Sequence, residues 1–277
     1  MESNFTIGII GGMGKMGQFF KQLFEKQGYP VLISDVGTEL TNQELVKKSK
    51  VVFISVPISV FEDVVKEISG CVEDHHWIID ICSLKSEPVK IMKHNLDRGE
   101  VLATHPLFGP FEKNLKNKTI AFWPVRGKKV VNWFVKTMSK EGLRLVKVPP
   151  KKHDKIMAIV QVLNHFWLIL LGNILKDSGI PLEEIIVLST PAFLHQLEIL
   201  MRFSKQSLDV YEKIQLQNPW GKNLRKIFYH NCKEFLKSLD SNNAKEVFEK
   251  YFQNCQEVAK ELEVLLHKLF PNEVKKD

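Results

Sequence analysis

The sequence predicts an α/β domain followed by an all-helical one. Two observations carry that reading. Short β-branched runs alternate with amphipathic stretches through the first half, and beyond Pro149 and Pro150 the strand pattern stops while a 3.6-residue apolar period continues. The chain has 277 residues, enough for two modest domains, with an expected division into 1–150 and 151–277. It is 44% hydrophobic and 26% charged, which excludes disordered and fibrous classes.

The first expected strand, 6–10, is followed by others at 31–34, 51–56, 77–81, 101–104, 119–123 and 143–148. Amphipathic segments near 15–26, 43–48, 60–68 and 88–96 lie between the early ones. Strands separated by helices need crossover connections, hence a mainly parallel sheet. Past Lys152, helices are expected at 155–176, 182–188, 193–204, 208–217, 222–239 and 244–269, with Asn218, Pro219 and residues 240–243 as breaks. The most apolar stretch, 156–175, is long enough to span a bilayer. It carries Gln161, Asn164, His165 and Asn173, which lipid would leave without partners. The expectation is a buried central helix of a soluble protein, with no membrane partner. Six helices offer more apolar surface than one small lobe can bury, so a homodimer through the helical domain is expected.

The formal charge of +7 comes from 34 Lys and only 5 Arg, spread along the chain. The densest basic clusters, around Lys47 and Lys151, hold no aromatics, and groove readers rely on Arg, so no nucleic-acid partner is expected. A positive field suits an anionic small substrate. Four cysteines at 71, 82, 232 and 255 form no CxxC pair and no metal-ligand spacing, as in a reduced cytoplasmic protein without a metal. Residues 1–4 lack the basic start of a signal peptide, so no leader is expected.

Gly12, Gly14 and Gly17 form GxGxxG, with Met13, Lys15 and Met16 between them. The motif follows an apolar strand, opens an amphipathic helix and precedes a second strand ending at Asp35. That context marks a Rossmann-like dinucleotide site. Gly12 is expected to make the tight turn, Gly14 to let backbone approach a pyrophosphate, and Gly17 to allow close helix–strand packing. The helix N-terminus offers N–H groups to phosphate. Asp35 is placed to accept from the adenine-ribose hydroxyls and would repel a 2′-phosphate, which favours NAD over NADP. Ser55, Val56 and Pro57 end the third strand at the edge where ligands sit, and are expected to line the nicotinamide side.

Ser83 and His105 also follow strand ends at that edge. A histidine there can accept a hydroxyl proton as hydride leaves the same carbon, and a serine can orient that hydroxyl. Gln161 and His165 form a polar stripe on the long apolar helix and need either a polar cavity or another helix's donors. His153 and Asp154 are expected to cap the start of that helix. Arg202 suits a substrate carboxylate, or else a salt bridge to Glu198 one turn earlier. Tyr211 by itself reads as core packing.

The sequence resembles the prephenate dehydrogenase family of tyrosine biosynthesis. The resemblance rests on segments 9–17, 52–57, 79–85, 105–110, 153–166, 188–191 and 202–211. The His105, Pro106, Phe108, Gly109, Pro110 turn and the later His153, Asp154, Ala158, Gln161, His165, Phe166 run are its most specific parts, and they resemble in particular the form joined to chorismate mutase in enteric bacteria. The resemblance implies NAD-dependent oxidative decarboxylation of prephenate to 4-hydroxyphenylpyruvate. It makes His105 the catalytic histidine, Ser83 the serine beside nicotinamide and substrate, Arg202 the carboxylate ligand, and His165 and Tyr211 pocket residues. It also implies a homodimer. Some members carry an acid six positions after the catalytic histidine, where this chain has Phe111 and then Glu112. No chorismate mutase domain is expected before residue 1, and no regulatory domain after Leu269. Arogenate dehydrogenase, another two-domain hydroxy-acid dehydrogenase and a catalytically silent NAD-binding partner stay open as alternatives.

Overall fold

The computed structural model describes residues 5–205 and 208–270; residues 1–4, where no leader is expected, lie outside them. Contacts divide the chain into two compact units, 1–222 and 223–277.

The first unit holds a seven-stranded sheet in the order β2-β1-β3-β4-β5-β6-β7. The strands are β1 (Ile7–Ile10), β2 (Val31–Ser34), β3 (Val51–Ile54), β4 (Trp77–Asp80), β5 (Glu100–Pro106), β6 (Thr119–Arg126) and β7 (Arg144–Lys147). The connecting helices are α1 (Lys15–Lys26), α2 (Asn42–Lys47), α3 (Ile58–Ser69), α4 (Ser86–Asn95) and, unanticipated between β6 and β7, α5 (Lys129–Ser139). The sheet is a Rossmann-like α/β layer, buried on both faces, which is why β1 and β3 read as continuous apolar runs. Alternate residues point opposite ways. Ile7, Ile9, Val51 and Phe53 join Phe20, Phe24 and Phe134 on one face. Ile10, Val52 and Ile54 join Phe61, Ile78 and Met92 on the other.

Two topological facts position the site. The chain leaves β1 toward β2 on one side and returns to β3 on the other, so a crevice opens at the carboxyl ends of β1 and β3. All pairs are parallel except β5 with β6. That antiparallel partner carries β5 past its parallel neighbour: β4 ends at Asp80 opposite Ala103, whereas His105 still pairs with Ala121. His105 thus sits inside the strand, two residues beyond the end of β4.

Helices follow β7: α6 (Pro150–Met157), a π-helical turn at Ala158–Leu163, α7 (Asn164–Asp177), α8 (Leu182–Val187), α9 (Pro191–Ser204) and α10 (Leu208–Gln217). The expected helix at 155–176 is therefore one continuous helix from 150 to 177, interrupted by a π turn. Its expected burial does not hold in the single chain. Val162, Leu168 and Leu171 are buried, but Ile159, Val160, Trp167, Ile169 and Ile174 are exposed. The helix is apolar nearly all round, and one chain covers only part of it.

In the chain's last part, α11 (Gly221–Leu239) runs into the second unit, which also holds α12 (Ala244–Leu269). There Phe235 packs on Tyr251 at 4.7 Å between ring centroids.

Candidate active site

At the end of β1 the backbone N–H groups of Gly11 and Gly12 donate to Ser34 O at 2.8 and 3.0 Å, pinning the turn to β2. The left-handed residue is Gly11, with φ +77°, and a Cβ there would fall 2.4 Å from Ser55 O. The tight turn therefore belongs to Gly11, which the motif did not single out, and not to Gly12. Gly12 instead allows close packing on β2, since its Cβ would meet the Ile33 Cβ at 2.4 Å. Gly17 has the expected role: its Cβ would fall 2.4 Å from Gly11 O. Gly14 caps α1, whose first turn has neither an acidic residue nor a side-chain cap, leaving its N–H groups to an anion. The Asp35 carboxylate accepts from Met13 N and Val36 N, each at 2.8 Å, which places it beside the turn. This cradle has the features a dinucleotide pyrophosphate and ribose require.

Beside the cradle lies a cavity of about 610 Å³ in the first unit. Gly14, Lys15, Met16, Ser55, Val56 and Pro57 line one side, Ser83 and His105 the next, and Gln161, His165 and Tyr211 another. Gly12, Met13, Gly17 and Asp35 support the turn from outside the lining. Phe111 is exposed, with Lys15 Nζ 5.4 Å from its ring centroid.

Ser83 is carried on a turn fixed from below. Buried Lys85 pairs with buried Asp80, the Cys82 N–H donates to Asp80 Oδ1 at 2.8 Å, and the Thr104 hydroxyl donates to Asp80 O. This last bond ties the ends of β4 and β5 together.

His105 Nδ1 lies 2.9 Å from His153 Nε2, and His153 Nδ1 lies 2.8 Å from Asp154 Oδ1. All three residues are buried. Asp154 also accepts from the backbone N–H groups of Lys85 and Ser86 at 2.9 and 2.8 Å, so it caps α4, not its own helix as expected. Burial alone would raise its pKa. Hydrogen bonds from His153, Ser86 and Lys85 overcome that and hold it below the usual carboxylate range. An ionised Asp154 accepts from His153 Nδ1–H, His153 Nε2 then accepts from His105 Nδ1–H, and His105 Nε2 keeps its lone pair. Burial, with His153 and Lys85 adding to it, holds His105 well below the ordinary histidine range, hence neutral.

Gln161 sits in the π turn and His165 one helical turn on. Gln161 Oε1 and His165 Nδ1 are buried without a hydrogen-bond partner among the described residues, while both side chains line the cavity. His165 meets the Tyr211 ring at 4.5 Å and the Phe203 ring at 5.4 Å. Burial pushes His165 down to about 4 and Tyr211 up to about 12, so both are uncharged. Tyr211 is thus a cavity residue and not simple core packing.

Arg202 is exposed near the end of α9 and is not among the lining residues. Its neighbour Phe203 packs on Tyr211 at 4.1 Å between ring centroids. Glu198 contacts His195 at 3.3 Å. Asp209 and Lys213, which sequence reasoning passed over, do line the cavity. Their signal was the spacing 209, 210, 213, 214, one face of α10 anchored by buried Ile214.

The chain is similar to known proteins along most of its length. Residues 31–147 match the prephenate dehydrogenase nucleotide-binding domain, and 149–262 match the prephenate dehydrogenase dimerization domain. A relative from Methanocaldococcus jannaschii, described as a probable arogenate/prephenate dehydrogenase, is 34% identical over 272 residues, covering 92% of this chain and 61% of its own. The T-protein of Enterobacter agglomerans is 29% identical over 237 residues, covering 85% and 62%. The chain thus spans about three fifths of the length of these curated relatives. The crystal structure of Aquifex aeolicus prephenate dehydrogenase with hydroxyphenyl propionate and NAD+ superposes with a TM-score of 0.70 at 19% identity, covering 94% of this chain and 99% of that one. That likeness shows a shared fold. With both family domains matched in consecutive order across 31–262, the chain belongs to the prephenate dehydrogenase family.

Proposed function

We propose that this chain is an NAD-dependent dehydrogenase that oxidatively decarboxylates prephenate to 4-hydroxyphenylpyruvate in tyrosine biosynthesis. The observation that carries the reading is the buried His105–His153–Asp154 chain, ending in a cavity beside the glycine turn. Residues 1–150 act as the nucleotide half and 151–277 as the substrate and dimerisation half, a division supported by the junction of the two matched segments. The enzyme works as a cytoplasmic homodimer without nucleic-acid or membrane partners.

Gly14 and the first turn of α1 would hold the pyrophosphate of NAD, Asp35 the adenine ribose, and Ser55, Val56 and Pro57 the nicotinamide side. When bound, NAD supplies the hydride acceptor. The chain's own residues handle the substrate. His105 Nε2 takes the proton of the ring hydroxyl while the hydroxyl-bearing carbon gives up its hydrogen as hydride. The bond to the ring carboxylate breaks, CO₂ leaves, the electron pair of that bond completes the aromatic ring, and the resulting phenolate oxygen takes the proton back from His105. Ser83 orients the hydroxyl, and His153 with Asp154 holds His105 in the accepting tautomer. Gln161, His165 and Tyr211 meet the far side of the ring as neutral donors and acceptors. The carboxylate role that the resemblance gives Arg202 lacks support from its exposed place.

A specific observation favours arogenate as a second substrate: Asp209 puts a carboxylate on the cavity wall, where the side-chain ammonium of arogenate could pair with it. The deciding experiment measures NADH formation from prephenate and from arogenate, each with NAD and with NADP. Prephenate with NAD is expected to give the highest kcat/KM. His105→Asn should lower kcat by about 10²–10⁴ and leave NAD affinity intact. Near-normal turnover in that variant would remove His105 from the mechanism.

A further inference from the structure

Resting on the reading above, we infer that the Lys213 ammonium binds the side-chain carboxylate of the substrate. Prephenate and arogenate carry both carboxylates at the ring end opposite the hydroxyl. With His105 and Ser83 at the hydroxyl end, a cation is needed on another wall of the cavity. Among the lining residues only Lys15 and Lys213 carry fixed positive charge. Lys15 belongs to the glycine turn, where its ammonium donates to Lys205 O at 3.4 Å and lies over Phe111.

Lys213 comes from α10, the helix that also supplies Tyr211. It is half-buried, and Asp209 one turn earlier forms no ion pair with it. Its helix is firmly seated: Ile214 is 2% exposed, and Gln215 Nε2 donates to Val162 O in the π turn at 2.7 Å. Lys213 therefore brings a cation to the cavity wall from a seated helix. Its cavity neighbours Gln161, His165 and Tyr211 are neutral and cannot balance an anion, and Asp209 is the one acidic side chain among the lining residues.

The chemistry decides which carboxylate it holds. The ring carboxylate must leave as CO₂, and pairing it with an ammonium would stabilise the charge that departure has to remove. The side-chain carboxylate survives into the product, so holding it costs the reaction nothing.

The test compares Lys213→Gln, Lys213→Arg and Arg202→Gln in the full chain loaded with NAD. Calorimetry reads the affinity for 4-hydroxyphenylpropionate and for 4-propylphenol, the same ring without a carboxylate, and steady-state kinetics reads KM and kcat. Lys213→Gln should weaken the acid by roughly ten- to a hundredfold and raise KM in proportion, as expected for a lost charge-assisted hydrogen bond. The phenol should bind as before, and Lys213→Arg should restore most of the loss. Unchanged acid affinity in Lys213→Gln, equal loss of both ligands, or loss confined to Arg202→Gln would each overturn the assignment. The two readings separate cleanly. An active wild type with an insensitive Lys213→Gln rejects Lys213 alone. A wild type that makes no NADH, yet binds the acid through Lys213, rejects the reaction alone. A wild type that does neither rejects both.

Discussion

His105 is buried, neutral and directed by two further side chains, and this arrangement sets what it can do. A lone imidazole in water has two tautomers and a pKa near 6.5. Here the carboxylate of Asp154 selects the tautomer through His153, and burial lowers the pKa. The role of His153 can be separated from mere packing. His153→Leu should lower kcat tenfold or more without changing NAD affinity, whereas His153→Gln should recover part of the loss because its amide oxygen can still accept from His105 Nδ1–H. The pH profile gives an independent readout. A base must be neutral, so kcat/KM falls as pH drops through the His105 pKa, and the acid limb of the wild type lies below 6.5. Burial is the larger cause of that low pKa and persists in His153→Leu, so the limb should stay below 6.5 while kcat falls. An unmoved limb with normal kcat would reduce His153 to a spacer.

At the scale of elements, the cofactor cradle depends on how closely α1 approaches β1. A Cβ on Gly17 would meet only backbone, Gly11 O at 2.4 Å and Gly12 Cα at 2.8 Å, and backbone cannot swing aside as a side chain can. Gly17→Ala should therefore push α1 away from the turn, cost about 1–3 kcal/mol of stability, and weaken NAD binding with it. Urea melts and NAD titration on the same sample check both effects; a variant with wild-type values would show that the approach can relax. The π turn at Ala158–Leu163 is the second element with a functional consequence, since it carries Gln161, and such insertions in long helices recur at functional sites. Sequence periodicity did place Gln161 and His165 on one face. It could not register the π turn, because one widened turn leaves the average apolar period almost unchanged.

For the whole molecule, the informative surface is the apolar one. Trp167 and Ile174 stand seven residues apart on α7 and are both exposed, Ile174 at 58%, and α12 exposes Val258, Leu262, Leu265 and Leu269. Surfaces of this kind in a single chain mark an interaction site. The dimerization-domain match over 149–262 supports a second copy as the partner. Sedimentation should give a dimer at micromolar concentration, and the double variant Trp167→Glu, Ile174→Glu should give a folded monomer by circular dichroism. A dimer that survives the double change would place the interface away from this face of α7.

The α/β layer, the strand ends and the glycine turn were legible in the sequence because local rules produce them. Buried parallel strands need continuous apolar runs, crossovers need helices between them, and a pyrophosphate needs glycines at a helix start. Ser83 and His105 were legible as polar residues on the ligand edge, although His105 lies inside β5 and not just past its end as expected. Tertiary structure decided what depends on distant segments meeting. It assigned the left-handed position to Gly11 through its contact with Ser55, and it extended β5 beneath His105 by an antiparallel pairing with β6. It set the carboxylate of Asp154, which stays within α6, against the start of α4, 68 residues away in sequence, and it joined His153 to His105. It also placed Lys213, and not Arg202, on the cavity wall. Apolar periodicity specifies which face of a helix is buried. Which polar residue on that face meets the cavity is set by the packing angle between helices, and no local pattern encodes that angle.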